Sequence, residues 1–329
     1  HTLKIGIALG SGAARGWAHI GVIQALEELG IKIDVVAGCS IGAYVGAAYS
    51  SNKLDPLEEW VRSLTEWQVF ALMGVGLYRG GLVSGLKVFK ALQDNFSEET
   101  FEELCKPFAC VATDLYSGRE INFLTGSVVD AVRASCAIPG LFPPTTFNDR
   151  WLVDGGVVNP VPVNLCRHLG ADIVFAVNLS ADFRPQTMDN NEKERERNQQ
   201  KISDMFSKSQ NPLSKWFKSD KKGKDSKEMD EDGKPDDQDD VELHSETARP
   251  RAAKNHPPSM IGVMAGSLDI LQARVTRSRL AGNPPDILIE PQLRDFGMME
   301  FYRAGELIEE GRNSVKRIAD QIRYQLRLD

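Results

Sequence analysis

The chain has 329 residues, 42% of them hydrophobic and 26% charged, a balance typical of a globular protein with a sizeable core. Residues 228–240 hold eight acidic residues against one lysine and account for the whole net charge of -7. The rest of the chain is neutral, which gives no electrostatic support to nucleic-acid binding. The five cysteines form neither a Cys-x-x-Cys pair nor a Cys/His cluster, which predicts reduced thiols in a cytoplasmic protein.

Strand-like and helix-like patterns alternate along most of the chain. Strands are predicted at 3–9, 33–37, 108–113, 120–124, 151–153, 173–177 and 287–289. Helices are predicted at 16–29, 42–50, 56–65, 86–94, 127–135, 160–169, 259–280 and 299–327. This alternation predicts an α/β fold of three α/β/α layers around a largely parallel central sheet.

Residues 184–258 break the alternation. Apolar residues are sparse there, and 16 of the 23 residues at 218–240 are charged. Such a segment buries too little apolar surface to offset its ordering entropy, so we expect a charged, disordered insertion. The flanking segments 1–183 and 259–329 are expected to form one domain, because the elements after 258 are too few to make another.

Two segments suggest contact with lipid. Within 205–224, aromatic and apolar residues are interleaved with six lysines, a pattern that suits an anionic membrane surface. We expect a membrane anchor whose lysines are shielded by the acidic run 228–240 when no membrane is present, with an inert linker as the alternative. The apolar stretch Val69–Tyr78, with Trp67, is either a lip near a site or ordinary core, and its ten residues are too few to span a bilayer. We expect a cytoplasmic location with peripheral contact at the inner face of the membrane.

The run Gly38-Cys39-Ser40-Ile41-Gly42 follows a β-branched strand and precedes a helix of small residues. A nucleophilic serine must project from a tight strand-to-helix turn, where flanking glycines allow strained angles and close approach of the backbone. This context favours Ser40 as a nucleophile over a plain glycine-rich turn. Cys39 is a weaker rival, because the middle position of the turn is the one that points into the site.

The segment Gly10-Ser11-Gly12-Ala13-Ala14-Arg15-Gly16 joins the first strand to the first helix. Its N–H groups could bind either the oxyanion formed during ester cleavage or a nucleotide phosphate. The phosphate motifs do not fit, because Trp17 stands where one requires lysine and Arg15 where the other requires glycine. We therefore predict an oxyanion hole.

A carboxylate in Asp154-Gly155-Gly156 is the predicted base. It ends the strand 151–153, and a carboxylate at the C-terminal end of a strand is expected at the same rim of the sheet as Ser40. Asp114 is the rival, but it lacks the paired glycines. Turn capping is the alternative role for either residue.

No histidine is well placed for a Ser–His–Asp triad. His244 and His256 lie in the insertion, His168 ends a helix, and His19 is expected to pack on the first helix. This favours a Ser40–Asp154 dyad. Such a dyad requires burial to raise the pKa of the carboxyl group, or a strong oxyanion hole to compensate.

The glycine loop, the Ser40 turn and Asp154-Gly155-Gly156, in that order, resemble a bacterial patatin-like phospholipase, of the small branch related to the neuropathy-target-esterase catalytic domain. The proline-rich run at 137–144 is similar to the family segment ahead of its catalytic Asp. The match covers 3–180 and, more loosely, 259–329. The resemblance implies a patatin-like fold, Ser40 as nucleophile, Asp154 as base, an oxyanion hole from the 10–16 amides, and no metal or cofactor.

The loop departs from the family pattern at two positions. Ser11 and Ala13 stand where the family usually has glycine, and alanine is not expected to take a positive φ easily. The oxyanion hole is still expected to form, because alanine presents an N–H group. The expected activity is lipid acyl hydrolysis of phospholipase A, lysophospholipase or carboxylesterase type, with a lipid ester as substrate. The alternatives are an acyltransferase or thioesterase using acyl-Ser40, or a non-catalytic interaction protein on the same fold.

Overall fold

A computed structural model describes residues 3–73, 75–78, 81–83, 85–182 and 260–328. The predicted charged insertion, with its proposed membrane anchor, lies outside the described residues. Among the described helices, none combines the length and the apolar composition needed to cross a bilayer.

The strands of the described ranges form one large sheet and a separate hairpin. They are β1 (Ile5–Leu9), β2 (Val35–Cys39), β3 (Val75–Tyr78), β4 (Gly81–Val83), β5 (Phe108–Asp114), β6 (Glu120–Phe123), β7 (Thr145–Phe147), β8 (Arg150–Asp154), β9 (Ile173–Val177) and β10 (Ile287–Ile289). The large sheet has the order β10-β9-β1-β2-β5-β8-β7, with β6 also paired to β5, and the hairpin is β3–β4. From β10 to β5 the strands are parallel, which confirms the predicted largely parallel sheet, whereas β6, β7 and β8 are antiparallel to their neighbours.

Helices cover both faces of this sheet. They are α1 (Ala18–Glu28), α2 (Ile41–Ser50), α3 (Leu54–Ser63), α4 (Glu66–Met73), α5 (Leu86–Ala91), α6 (Val128–Ser135), α7 (Val163–His168), α8 (Met260–Gly282), α9 (Ala304–Lys316) and α10 (Ala319–Leu326). A π-helical turn (Leu92–Phe96) follows α5, and short 3-10 helices include Ala13–Trp17, Gly155–Val157 and Phe301–Arg303. The sequence patterns missed α4, the β3–β4 hairpin and β7, and merged three elements into one helix at 299–327.

The alternation of side chains along the strands divides the core in two. Ile7 and Leu9 of β1 lie in the larger core, which also contains side chains of α1, α2 and α6. Ala8, between them, lies in the smaller core with Val163 and Leu165 of α7. The predicted three-layer arrangement is confirmed.

Elements from the end of the chain join this sheet directly. β10 pairs in parallel with β9, and α9 packs against α1. The two helices meet at glycines: a side chain on Gly21 would collide with the Ile308 carbonyl, and one on Gly311 with that of Ala18. Only glycine permits this close approach of the helix backbones.

The ends of two strands meet on one edge of β5. A strand has two edges, and β6 pairs with one edge of β5. The residues of β5 that pair with β6 include residues that pair with β2 and others that pair with β8, so β2 and β8 must both lie on the opposite edge. β2 ends with Cys39 beside Val111, and antiparallel β8 ends with Asp154 beside Ala112. The C-terminal ends of β2 and β8 therefore face each other along the same edge. Asp154 reaches the expected rim for this reason, and not because its strand is parallel to β2.

Candidate active site

Ser40 occupies the turn between β2 and α2 in a strained conformation. Its φ is 55° and its ψ is -121°, a region that residues with a side chain adopt at an energetic cost. Its N–H donates to Ser135 Oγ at 2.8 Å, and its carbonyl accepts the Ala43 N–H at 2.8 Å. Ser40 is 3% exposed, so both hydrogen bonds are shielded from water.

The glycines around Ser40 are required by close backbone contacts. A side chain on Gly42 would collide with the Leu9 carbonyl, and one on Gly38 with the backbone of the first turn of α2. A side chain on Gly16 would collide with Ile41. Strand β2 runs two residues beyond its predicted end and includes Gly38 and Cys39. Gly38 can lie within the strand because it has no side chain to collide with the first turn of α2.

Asp154 lies in direct contact with Ser40. The Ser40 hydroxyl donates to Asp154 Oδ2 at 2.6 Å, and the Gly156 N–H donates to Oδ1 at 2.7 Å. Thr113 Oγ1 donates to the Asp154 carbonyl at 2.8 Å. Burial raises the pKa of the Asp154 carboxyl group to about 6, although the hydrogen bonds from Ser40 and Gly156 act in the opposite direction. A carboxyl group with this pKa can accept and release a proton near neutral pH.

The rival residues have other surroundings. Asp114 accepts the N–H groups of Tyr116 and Ser117 and pairs with Arg150, which is a turn-capping arrangement. Cys39 lies in the smaller core, and burial raises the pKa of its thiol well above the usual range. Neither environment suits a base or nucleophile acting with Ser40.

In the described part of the chain, no histidine is hydrogen-bonded to Ser40 or Asp154. His19 is fully buried on α1, and its Nε2 donates to the Gly10 carbonyl at 2.7 Å. Burial lowers the pKa of His19 to about 4, so the ring is neutral and supports the glycine loop. His168 is exposed at the end of α7, while His244 and His256 lie outside the described residues.

Most amides of the glycine loop already have acceptors. The N–H groups of Gly10, Ser11 and Ala14 donate to the carbonyls of Val177, Pro160 and Met298, and that of Arg15 to Gly12. Gly16 lies within the 3-10 helix. Within the described ranges, the N–H groups of Gly12 and Ala13 have no acceptor, so an oxyanion would have these two donors available.

Alanine is not expected to take a positive φ easily, but the φ of Ala13 is 51°, so the loop holds it in a strained conformation. Hydrogen bonds before and after Ala13 explain this conformation. The N–H groups of Ser11 and Ala14 donate to the carbonyls of Pro160 and Met298, which fixes the chain at both points. The strain is offset by this surrounding structure.

Ser40 opens onto an otherwise apolar cavity. Its walls come from α3, α4, α5, the segment after α6, and residues around 300; the lining residues are Ala13, Trp17, Ile41, Tyr44, Trp60, Leu64, Val69, Leu72, Met73, Val88, Phe89, Cys136, Ile138, Leu141, Phe142, Met299 and Phe301. The first part of the predicted lip at 69–78 thus lies beside the site, and Trp67 on the same helix is 81% exposed.

Two residues that contact this site were not found from the sequence. Ser135, whose Oγ accepts the Ser40 N–H, is the last residue of an ordinary amphipathic helix and belongs to no motif. Gln272, whose Oε1 accepts the Ser11 hydroxyl at 3.0 Å, lies on α8, more than 100 residues from the last motif. No local pattern identifies such residues, because their contacts exist only after the chain has folded.

Comparison with known proteins agrees with this architecture. A family model described as "Patatin-like phospholipase" matches residues 7–167. The chain is 33% identical over 327 residues to the "Uncharacterized NTE family protein Rv1063c" of Mycobacterium tuberculosis, covering 94% of this chain and 89% of that protein. The chain therefore belongs to the patatin-like phospholipase family, as the sequence motifs predicted. Within that family, its similarity along nearly the whole length is to NTE family proteins.

Two longer eukaryotic proteins match part of the chain. "Neuropathy target esterase sws" of Drosophila melanogaster is 33% identical over 185 residues, covering 54% of this chain and 13% of that protein. "Lysophospholipase nte1" of Aspergillus fumigatus is 33% identical over 193 residues, covering 55% of this chain and 12% of that protein. The matched region is therefore a small part of each relative.

Proposed function

We propose that the chain is a serine-dependent lipid acyl hydrolase, with Ser40 as nucleophile and Asp154 as general base. The observation that carries this proposal is the 2.6 Å hydrogen bond from Ser40 Oγ to Asp154 Oδ2, at the end of an apolar cavity. The membership in a family of patatin-like phospholipases and the lysophospholipase name of a relative support the same reaction class.

In the first half of the reaction, Ser40 Oγ attacks the ester carbonyl carbon while its proton passes to Asp154 Oδ2. The carbonyl oxygen becomes an oxyanion, to which the N–H groups of Gly12 and Ala13 donate. The tetrahedral intermediate collapses when the C–O bond to the alcohol breaks, and the departing oxygen takes the proton from Asp154. This step leaves the acyl group on Ser40 and restores the carboxylate.

In the second half, water attacks the acyl-Ser40 carbonyl and gives a proton to Asp154. Collapse of this second intermediate releases the fatty acid and returns the proton to Ser40 Oγ. An acyltransferase or thioesterase would share acyl-Ser40: the former would replace this water with another acceptor, and the latter would begin from a thioester. Product analysis with and without an added alcohol, and a thioester included among the substrates, distinguish the three.

The cavity supports a lipid as the source of the acyl group. Among the described residues that line the cavity, none but Ser40 has a charged or strongly polar side chain, so the cavity suits an acyl chain better than a polar head group. Phospholipase A, lysophospholipase and carboxylesterase activities are all compatible with this arrangement. A panel of p-nitrophenyl esters of increasing chain length and of lysophospholipids identifies which one dominates.

We also propose a peripheral contact with lipid surfaces near this cavity. Exposed Trp67 and Leu86 lie on α4 and α5, which line the cavity, and Met264 of α8 contacts Gly140 next to the lining residue Leu141. Such apolar side chains insert readily at a membrane interface. Trp67→Ser is expected to weaken binding to anionic vesicles. Tyr324→Ser, at a similarly exposed aromatic on α10, which does not line the cavity, should leave binding unchanged; equal effects of the two variants would contradict this contact.

The hydrolase proposal is tested by ester turnover in four proteins. Wild type is expected to hydrolyse esters, whereas Ser40→Ala and Asp154→Asn should lose activity and remain folded. Asp114→Asn is the matched control and should keep activity. Activity retained in Asp154→Asn and lost in Asp114→Asn would refute the base assignment. An inactive wild type would favour a non-catalytic interaction protein.

A further inference from the structure

Helix α8 holds the glycine loop through two side-chain contacts that the reaction scheme does not use. The Ser11 hydroxyl donates to Gln272 Oε1 at 3.0 Å, and these residues are 4% and 8% exposed. Arg15 Nη2 pairs with Asp269 Oδ1 at 2.7 Å. Asp269 and Gln272 are three positions apart on the helix, so both side chains project from the same side of α8.

These contacts enclose the strained part of the loop. Ala13 has a φ of 51°, which a residue with a side chain keeps only when its surroundings enforce it. Ser11 lies two residues before Ala13, and Arg15 lies two residues after it. Both ends of the strained stretch are therefore attached to one helix, and the N–H groups of Gly12 and Ala13 lie between the two attachments.

Gln272 also adjoins the other half of the site. A Cβ atom on Gly156 would lie 2.7 Å from Gln272 Nε2 and 2.9 Å from Asp154 Oδ1. The amide group of Gln272 thus accepts a hydrogen bond from the glycine loop with its oxygen, while its nitrogen packs against the backbone that follows Asp154. One side chain of α8 therefore contacts both the glycine loop and the backbone that follows the base.

We infer that Gln272 is a positioning residue, which together with Asp269 fixes the Gly12 and Ala13 amides relative to Ser40. This inference rests on the proposed function, because it assigns these amides to the oxyanion. Preorganised donors act mainly on the transition state, where the charge develops, and contribute little to binding of the ground state. Loss of the Gln272 contact should therefore lower kcat and leave KM nearly unchanged.

The test is a double-mutant cycle on ester turnover. Gln272→Leu and Ser11→Ala each remove the hydrogen bond from one side, and Ser11→Ala deletes only an oxygen atom. Each is expected to lower kcat by about ten- to a hundred-fold, with KM within about two-fold of wild type. The double variant should be no slower than the slower single variant, because the two residues act as a unit.

Arg279→Gln provides the matched control. Arg279 Nη2 attaches α8 to Glu120 Oε2 at 2.7 Å and makes no contact with the glycine loop. This variant should keep the wild-type kcat even if its Tm falls. A kcat loss equal to that of Gln272→Leu would show that loosening α8 is sufficient, and would overturn the inference.

Two further outcomes separate the inference from the proposed function. Multiplicative effects of Ser11→Ala and Gln272→Leu on kcat, or no effect of either on an active enzyme, would refute the positioning role and leave the hydrolase proposal intact. A wild-type protein that turns over no ester would refute both. Ser11→Ala decides the matter alone if Gln272→Leu does not fold.

Discussion

Asp154→Asn is expected to stabilise the protein while removing its activity. Burial raises the pKa of this carboxyl group from 3.8 to about 6. The pKa values of the folded and unfolded states therefore differ by about two units. At about 1.4 kcal/mol per unit, ionisation of Asp154 lowers the free energy of unfolding by about 3 kcal/mol. Because the pKa of the folded state is the higher one, the folded protein loses stability as the pH rises from about 4 to about 6. Asparagine avoids this loss, and its side chain can still accept the Gly156 N–H and donate to Ser40.

Urea unfolding at pH 4, 6 and 8 measures this effect. The two proteins should have similar free energies of unfolding at pH 4, and Asp154→Asn should be about 3 kcal/mol more stable at pH 8. Asp114→Asn is the control, and its effect on stability should depend on pH in the opposite direction. Hydrogen bonds from Ser117 and Tyr116 and the nearby Arg150 lower the pKa of Asp114, so its stabilisation is present at pH 8 and is lost as the solution becomes acidic. An Asp154→Asn effect that does not change with pH would refute the reasoning.

Three further predictions concern the same turn and base. Ester turnover, measured as kcat/KM against pH, should rise through about pH 6 as Asp154 ionises, and Asp154→Asn should lack this rise; a rise centred near pH 4 would contradict the buried base. Ser40→Gly should abolish turnover and raise the free energy of unfolding by about 1 kcal/mol, because glycine tolerates a φ of 55°; a lower Tm would count against strain at Ser40. Gly42→Ala should lower the free energy of unfolding by more than about 3 kcal/mol, because the new side chain would collide with the Leu9 carbonyl. Gly266→Ala, in open space on α8, should raise it by about 0.5–1 kcal/mol. Equal effects of the two variants in urea unfolding would contradict the close contact at Gly42.

The sequence predicts the parallel half of the fold well, because its strands are short, β-branched and buried on both faces. β9 and β10 were predicted with their observed bounds, 173–177 and 287–289. The direction of β8 was not predictable, because strand pairing depends on partners that are distant in sequence. The predicted position of Asp154 was correct for a different reason, namely the meeting of β2 and β8 on one edge of β5.

For the site, the local motifs predict which residues meet but not what holds them. Glycines at 38 and 42 mark the turn, since backbone contacts there exclude any side chain. The glycine loop was predicted as a whole, whereas the structure leaves only the Gly12 and Ala13 amides without acceptors in the described ranges. Ser135 and Gln272 were missed, because a hydrogen bond formed across the fold has no signature in the neighbouring sequence.

The central claim, that Asp154 activates Ser40, is tested most directly by labelling with a fluorophosphonate and locating the label by peptide mass analysis. We expect a single label on Ser40, at a rate that rises with pH through a midpoint at about pH 6 to a plateau. The rate should be about 100- to 10,000-fold slower in Asp154→Asn and unchanged in Asp114→Asn. A label on another residue, or an Asp154→Asn rate equal to that of wild type, would contradict the account.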